Sequence, residues 1–539
     1  MKATSILQLA LCCLLTASPS YAGTLKTDIL QGEKWWGAID NFRDIDVKNP
    51  QKMPYDAETV INLDLINQGY GNQAVPFLVS TKGRYIWSDD PVNINFNKGV
   101  ITVEGPGEIE ISENHGTLRD AFLAAAVKHF PGNGQLPPEE FLRSPQYNTW
   151  IELTYNQNQK DILAYAHAIV DNGFPTDAVL MIDDNWQNYY GNFDFKPDRF
   201  PDPKAMSDEL HRLGFKVMVW VCPFISPDSM EYRMLRDKGY LVKRPDSDLP
   251  AVLEWWNGQS AMLDMSNPEA YDWFVKTLRT VQTKYGVDGF KLDAGDGRYY
   301  PKDKIRVFDG KSYGTLHSEL WARLGMDFPY NEFRACWKMA GTQLVQRLHD
   351  KDYSWEKGVA YLLPAMLASS MTGHLFVCPD MIGGGEFKTF LNVDPAKFDQ
   401  DLIVRSAQIH ALMPMMQFSV APWRILDKEH LACCLKAANL HREFGDYIVN
   451  TGRDGSKDCE PIIRPMEYSF PGQGFETVLD QYMLGDDYLV APMTTPGYSR
   501  EVKLPKGRWI DELGRKYKGG KTYTIDVPID RLPYFKKLK

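Results

Sequence analysis

Between residues 141 and 447, short apolar runs alternate with amphipathic segments of helical period, and several of the apolar runs end in acids. Ala178 to Ile182 is an unbroken buried-strand run closed by Asp183-Asp184. Asp202-Pro203 then supplies a helix N-cap and a first-turn proline, and Gly214 supplies a stop. Phe215 to Cys222 reads as the next strand. Asn267-Pro268 opens another helix with Phe274, Val275, Leu278 and Val281 on one face, and Phe290 to Asp293 follows as a strand. Strand-then-helix order sustained over about 300 residues predicts an α/β chain built on a (β/α)8 TIM barrel. No G-x-G-x-x-G phosphate loop is present to favour an open dinucleotide-binding sheet.

The flanking regions have a different texture. Residues 23–140 carry short alternating runs such as Thr59 to Leu65 and Gly99 to Val103, punctuated by Asn97-Lys98-Gly99 and Gly105-Pro106-Gly107. They predict an N-terminal β-sandwich. Residues 448–539 include the strand-like runs Tyr488 to Pro492, Glu501 to Leu504 and Tyr523 to Val527, and predict a second, C-terminal β-sandwich. Residues 1–22 read as a secretory signal, with Lys2, an apolar core from Ile6 to Leu15, and Ser20-Tyr21-Ala22 before Gly23. That core is too short to cross a membrane, and nothing later is long enough, so a secreted or periplasmic protein without an integral membrane segment is expected.

Six cysteines remain after such a cleavage, at 222, 336, 378, 433, 434 and 459. They show no CxxC spacing, so neither a zinc site nor a dense disulfide framework is expected, and their pairing is open. The formal charge of −10 argues against a nucleic-acid partner or an anionic membrane surface. The 14 Trp and 27 Tyr offer flat apolar faces with polar tips, which suit sugars, although most such rings serve as core.

The barrel segment places acids at strand ends: Asp183, Asp184, Asp293, Asp296, Asp350, Asp352 and Asp380. Glycoside hydrolysis with retention needs two carboxyl groups about 5 Å apart, one to attack the anomeric carbon and one to act as acid and then base. No HExxH zinc motif competes with that chemistry. A G-x-S-x-G match at Gly310 to Gly314 falls in a charged segment without the strand–turn–helix context a serine nucleophile needs. Lys291 and Asp293 are two apart on a strand, so they share its inward face. They can form a structural ion pair or a cation-stabilised nucleophile.

Several segments together resemble glycoside hydrolase family 31. They are Ile182-Asp183-Asp184-Asn185-Trp186, Arg199-Phe200-Pro201-Asp202-Pro203-Lys204, Trp255-Trp256-Asn257-Gly258, and Asp480 to Pro492. In many members the nucleophile strand reads W-x-D-M-N-E, whereas here it reads Lys291-Leu292-Asp293-Ala294-Gly295-Asp296. That departure resembles the branch containing the myogenesis-regulating glycosidase and bacterial α-galactosidases, whose motif is K-F-D-A-G-E. The resemblance implies Asp293 as nucleophile, with Lys291 replacing the usual Trp at the sugar. It also implies Asp350, sixteen residues after Arg334, as acid/base, with Asp352 ranked second. Arg334 would bind sugar hydroxyls or orient the carboxylates. Asp380 would bind sugar or hold Arg334. Asp183 or Asp184 would grip distal hydroxyls, with the other structural. Trp256 and Trp150 would stack on sugar faces, Trp220 would be core, and Gln417 would take the place of a sugar-contacting His.

The general acid is expected to sit where its pKa is raised. The expected activity is a retaining α-glycosidase acting on an oligosaccharide or glycoside, with no metal or organic cofactor. The resemblance implies galactoside over glucoside, because the branch with Lys in place of Trp includes α-galactosidases; Lys291 with Asp183 or Asp184 would contact the axial 4-hydroxyl and so discriminate against the epimer. A non-catalytic carbohydrate-binding protein on the same scaffold is the alternative from another class. Transglycosylation would use the same covalent intermediate.

Overall fold

A computed structural model of the chain describes residues 23–40, 53–68, 70, 72–311, 313–391, 393 and 398–539. The expected signal segment, 1–22, and Ser312 of the G-x-S-x-G match lie outside the described residues.

Eight parallel strands form the barrel: β1 (Gln146–Asn148), β2 (Ala178–Ile182), β3 (Phe215–Val221), β4 (Gly289–Leu292), β5 (Tyr330–Phe333), β6 (Val345–Arg347), β7 (Phe376–Cys378) and β8 (Gln417–Phe418). Each pairs with its sequence neighbour from β1 to β7, and β8 pairs with β1. The remaining seam is bridged by the Ile382 amide, which donates to the Gln417 carbonyl at 2.8 Å. Register aligns Trp220 of β3 with Lys291 of β4, and Lys291 with Glu332 of β5. This row sets inward-pointing side chains of three neighbouring strands at one height.

The helix signals act as the sequence chemistry requires. Asp202 accepts from the Ala205 amide ahead of helix Pro203–Arg212, and Asn267 accepts from Glu269 ahead of Pro268–Tyr285. The latter helix ends at Gly286 in the left-handed conformation, φ 71°. Phe274, Leu278 and Val281 bury its inner face, and Val275 packs at the margin.

The N-terminal region contains two sheets. One is antiparallel, in the order Gly23–Asp28, Val100–Gly105, Asn93–Asn97, Val60–Asp64. The other centres on Gln73–Ser80, which pairs with Trp35–Ile39 and Tyr85–Ser88. Its edge also receives a barrel segment: Cys336–Trp337, just after β5, runs parallel to Gln73 and Ala74. Alternate residues such as Ile101 and Val103 turn inward, so the period of two in the sequence becomes one buried face.

The C-terminal region holds a six-stranded and a two-stranded sheet around Trp509, Phe535, Leu489 and Val502. The buried guanidinium of Arg405, on helix Gln400–Ala411, docks this region by donating to the carbonyls of Val527 (2.6 Å) and Arg531 (3.2 Å). The helix Lys428–Asp458 runs through the expected boundary at 447, so the chain leaves the barrel along a helix rather than a loop. All six described cysteines are buried free thiols. No helix among the described residues is long and apolar enough to cross a membrane.

Candidate active site

A cavity of about 350 Å³ opens at the C-terminal ends of the strands. Asp183, Asp184, Lys291, Asp293, Arg334 and Asp350 line it, together with Trp150 and Trp256. Asp352 does not line it, which separates the two candidate acids.

Asp293 follows β4 directly, and its amide bonds to the Val221 carbonyl at 2.9 Å. The next residue, Ala294, has φ 60°, a left-handed turn that an alanine adopts at a cost of roughly 1 kcal/mol or more. This turn lets the Ala294 amide donate to Asp293 Oδ1 at 2.8 Å. Arg334 Nε donates to the same oxygen at 2.8 Å, and Trp220 Nε1 donates to Oδ2 at 2.9 Å. Burial pushes the carboxyl pKa up, but Arg334, Lys291 and these hydrogen bonds outweigh it and hold the group far below the usual carboxylate range. Asp293 is therefore an anion at any physiological pH. Trp220 is buried, as expected of core, but it also positions this carboxylate. Arg334 is fixed in turn by Asp296, which takes its Nη1 at 3.1 Å and also its Nη2.

Lys291 does not bond to Asp293. Its Nζ donates to Asp183 Oδ2 at 2.5 Å, and both side chains are nearly fully buried. Burial lowers the Lys291 pKa, but Asp183, joined by Glu332 and Asp293, raises it overall, so the ammonium stays charged. Asp184 takes the other role foreseen for this acidic pair. Its Oδ2 accepts from Asn257 Nδ2 (2.9 Å) and the Tyr190 hydroxyl (3.2 Å). Its Oδ1 is buried and accepts no hydrogen bond among the described residues. Burial, reinforced by the neighbouring Asp183 charge, pushes Asp184 up to about 7. An unsatisfied acceptor at the wall of a polar cavity suits a sugar hydroxyl. Asn185, φ 78°, makes the same left-handed exit after β2 that Ala294 makes after β4.

Asp350 stands just past β6, with its side chain 46% exposed. Arg347 Nη1 donates to its Oδ1 at 2.7 Å. Burial raises the pKa of Asp350, but Arg347, followed by Lys291 and Arg334, brings it below the ordinary value. A raised value was expected of a general acid. The pocket instead holds this carboxylate ionised against Arg347. The Gly385 backbone lies against it: a Cβ on Gly385 would overlap the Asp350 carboxyl group. The Gly385 carbonyl also accepts from Trp150 Nε1 at 3.2 Å.

Two expected sugar ligands lie beneath the pocket. Asp380 is fully buried and accepts from Arg347 Nη1 (3.2 Å) and the Lys351 amide (2.7 Å), so it holds Arg347 rather than Arg334. Gln417 is fully buried and donates to Glu332 Oε2 (2.7 Å) and Gln146 Oε1 (3.1 Å), so it braces the barrel interior. A strand-end position fixes which face a side chain takes but not its depth, and both residues sit one layer too low. At the mouth, Trp256 is 43% exposed with the Arg334 guanidinium 5.3 Å over its ring. Trp150 meets Tyr155 and Phe387 edge-on. Sequence reasoning missed Tyr155, Tyr190, Asn257, Arg347 and Gly385, and it named Asp296 as a strand-end acid without giving it the role of holding Arg334. Asn257 and Asp296 stand inside motifs already quoted, Arg347 stands beside Asp350, and the others carry no local signal. No group of three or more His, Cys, Asp or Glu among the described residues is arranged to hold a metal.

Residues 145–450 match the glycosyl hydrolase family 31 TIM-barrel domain, and residues 459–538 match the family's C-terminal domain. The chain belongs to glycosyl hydrolase family 31. Its family 31 relatives include the myogenesis-regulating glycosidase of Mus musculus, 32% identical over 418 residues that cover 75% of this chain and 57% of that protein. An alpha-xylosidase of Emericella nidulans is 24% identical over 86% of this chain and 65% of its own length. The chain thus spans under two thirds of the length of these curated relatives. A family 31 dextranase of Flavobacterium johnsoniae, solved with glucose, superposes with a TM-score of 0.81 at 19% identity, over 96% of this chain and 67% of that one. This likeness extends the shared fold beyond the barrel to nearly the whole chain.

Proposed function

We propose that this family 31 protein is a retaining α-glycosidase that removes a terminal sugar, with α-galactosides as its substrates. The observation that carries the reading is an anionic Asp293 in the same small cavity as a second, half-exposed carboxylate, Asp350. Asp293 Oδ2, which among the described residues accepts from Trp220 alone, is the oxygen suited to attack. It would form a bond to the anomeric carbon while the glycosidic bond breaks and Asp350 gives its proton to the leaving oxygen. Asp350, now a carboxylate, would then take a proton from water as that water attacks the glycosyl-aspartate. This releases the sugar with its α configuration kept and returns both carboxyl groups to their starting states. A bound sugar displaces water from around Asp350 and strengthens the burial effect that raises its pKa, which favours the acid form in the complex.

Support for galactose comes from the inner wall. Lys291 stands where many family members have Trp, and its ion pair with Asp183 beside Asp184 offers donors and acceptors for an axial 4-hydroxyl. Glucoside is the second reading, because the dextranase relative was solved with glucose. Rates on aryl α-galactoside and α-glucoside, with Asp293→Asn and Asp350→Asn as controls, decide between them. A clear glucoside preference contradicts the first choice, and sugar binding with no hydrolysis of any α-glycoside supports a non-catalytic binding protein instead. Export through cleavage after Ala22, to the periplasm or outside the cell, belongs to the same proposal. A mature N-terminus at Gly23 would support it, and an intact Met1 in the mature protein would contradict it.

A further inference from the structure

A side chain at the edge of the N-terminal sheet reaches the segments that carry the two carboxylates. Asn72 precedes strand Gln73–Ser80 and is fully buried, far in sequence from every residue it serves. Its Nδ2 donates to the Arg334 carbonyl at 2.8 Å and to the Arg347 carbonyl at 3.3 Å. Its Oδ1 accepts from the His349 amide at 2.7 Å and from His349 Nδ1 at 3.1 Å, which requires the proton on Nδ1. Its own carbonyl accepts from the Cys336 amide at 3.1 Å.

These partners flank both carboxylates. Arg334 holds Asp293 with its guanidinium, Arg347 holds Asp350, and His349 immediately precedes Asp350 and lines the cavity. One carboxamide thus ties the main chain after β5 to the main chain after β6. Only a side chain carrying two donors and an acceptor on a short stem can do this; a hydroxyl or a methyl leaves main-chain groups unpaired. The β5–β6 ladder itself is short: its register pair is Phe333–Gln346, with the Val345 amide donating to Asn331 Oδ1 at 3.1 Å toward the other end of the strands.

We propose that Asn72 is a positioning residue for the acid/base step: it sets where the His349-Asp350 segment stands relative to Asp293. The inference rests on the glycosidase reading above. A misplaced acid slows departure of a basic leaving group, whereas a leaving group that departs as a stable anion needs no proton. Loss of Asn72 should therefore be selective for leaving group.

The test compares kcat/KM for phenyl and dinitrophenyl α-glycosides of the sugar the wild type accepts, in Asn72→Ala and Asn72→Ser. Both rates come from one preparation, so their ratio does not depend on how much of the variant folds. The phenyl rate is expected to fall at least tenfold further than the dinitrophenyl rate. Adding Asn72→Ala to Asp350→Ala is expected to leave that ratio unchanged. Equal losses on both substrates, or a further change of ratio without Asp350, would overturn the proposal. A wild type inert on both sugars sinks the glycosidase reading and this inference together, whereas an active wild type with equal losses sinks this inference alone.

Discussion

The Lys291 ammonium donates to Asp183 at 2.5 Å, not to the carboxylate two residues along its own strand. The two side chains are 6% and 4% exposed, so the pair has almost no water to share its charge with. Removing one partner leaves the other buried and uncompensated, at about 3–5 kcal/mol. Lys291→Met is expected to lower the unfolding free energy by about that amount at neutral pH. The double variant with Asp183→Asn should recover most of the loss. Urea unfolding of the two variants checks this, and the same Lys291→Met protein should lose its preference between galactoside and glucoside.

Asp184, pushed up to about 7, gives the free protein a titration near neutral pH. Below that pH it is protonated and a weaker acceptor for a sugar hydroxyl. kcat/KM is expected to fall as pH drops through 7, and this limb should vanish in Asp184→Asn. Stability follows the raised-pKa sign: the protonated acid is tolerated below about pH 4, and the ionised one weakens the fold as pH rises toward 7. Asp184→Asn should therefore gain thermal stability over wild type across that window, then hold a constant lead above it.

Arg334 lowers the Asp293 pKa by both charge and hydrogen bonding. Arg334→Gln should let that pKa climb toward the ordinary carboxylate value near 4. The variant-to-wild-type ratio of kcat/KM is then expected to fall as pH drops from about 6 to about 4, where Asp293 starts to protonate in the variant and does not in the wild type.

Gly385 leaves the space that Asp350 fills. Gly385→Ala forces the carboxyl group aside by an amount on the order of 1 Å, a displacement that costs about a hundredfold in rate. Steady-state kinetics should show the loss in kcat, with thermal melting nearly unchanged.

Much of the barrel was legible because its chemistry is local. Strand runs, Asp and Asn caps and a closing glycine each act within a few residues, and the helices start at Pro203 and Pro268 as those signals require. The strand-end position of Asp293 was legible for the same reason, since the apolar run before it stops there. Depth was not: Asp380 and Asp350 carry similar local signals, and only packing around Arg347 puts one below the floor and the other in the cavity. The Lys291 partner was hidden because Asp183 lies on a strand two positions around the barrel. The helix Lys428–Asp458 runs past the boundary expected at 447 and carries Gly452 and Gly455 inside it. Both glycines are needed for close contact, with Phe376 and Ile462 in one case and the Glu460 carbonyl in the other.

The most direct measurement is mass spectrometry of the protein after reaction with a fluorinated α-galactosyl fluoride that forms its glycosyl-enzyme faster than it loses it. The account requires one sugar added, carried on the peptide that contains Asp293, and no adduct in Asp293→Asn. An adduct on any other residue, or turnover that gives the β anomer with no adduct, would contradict it.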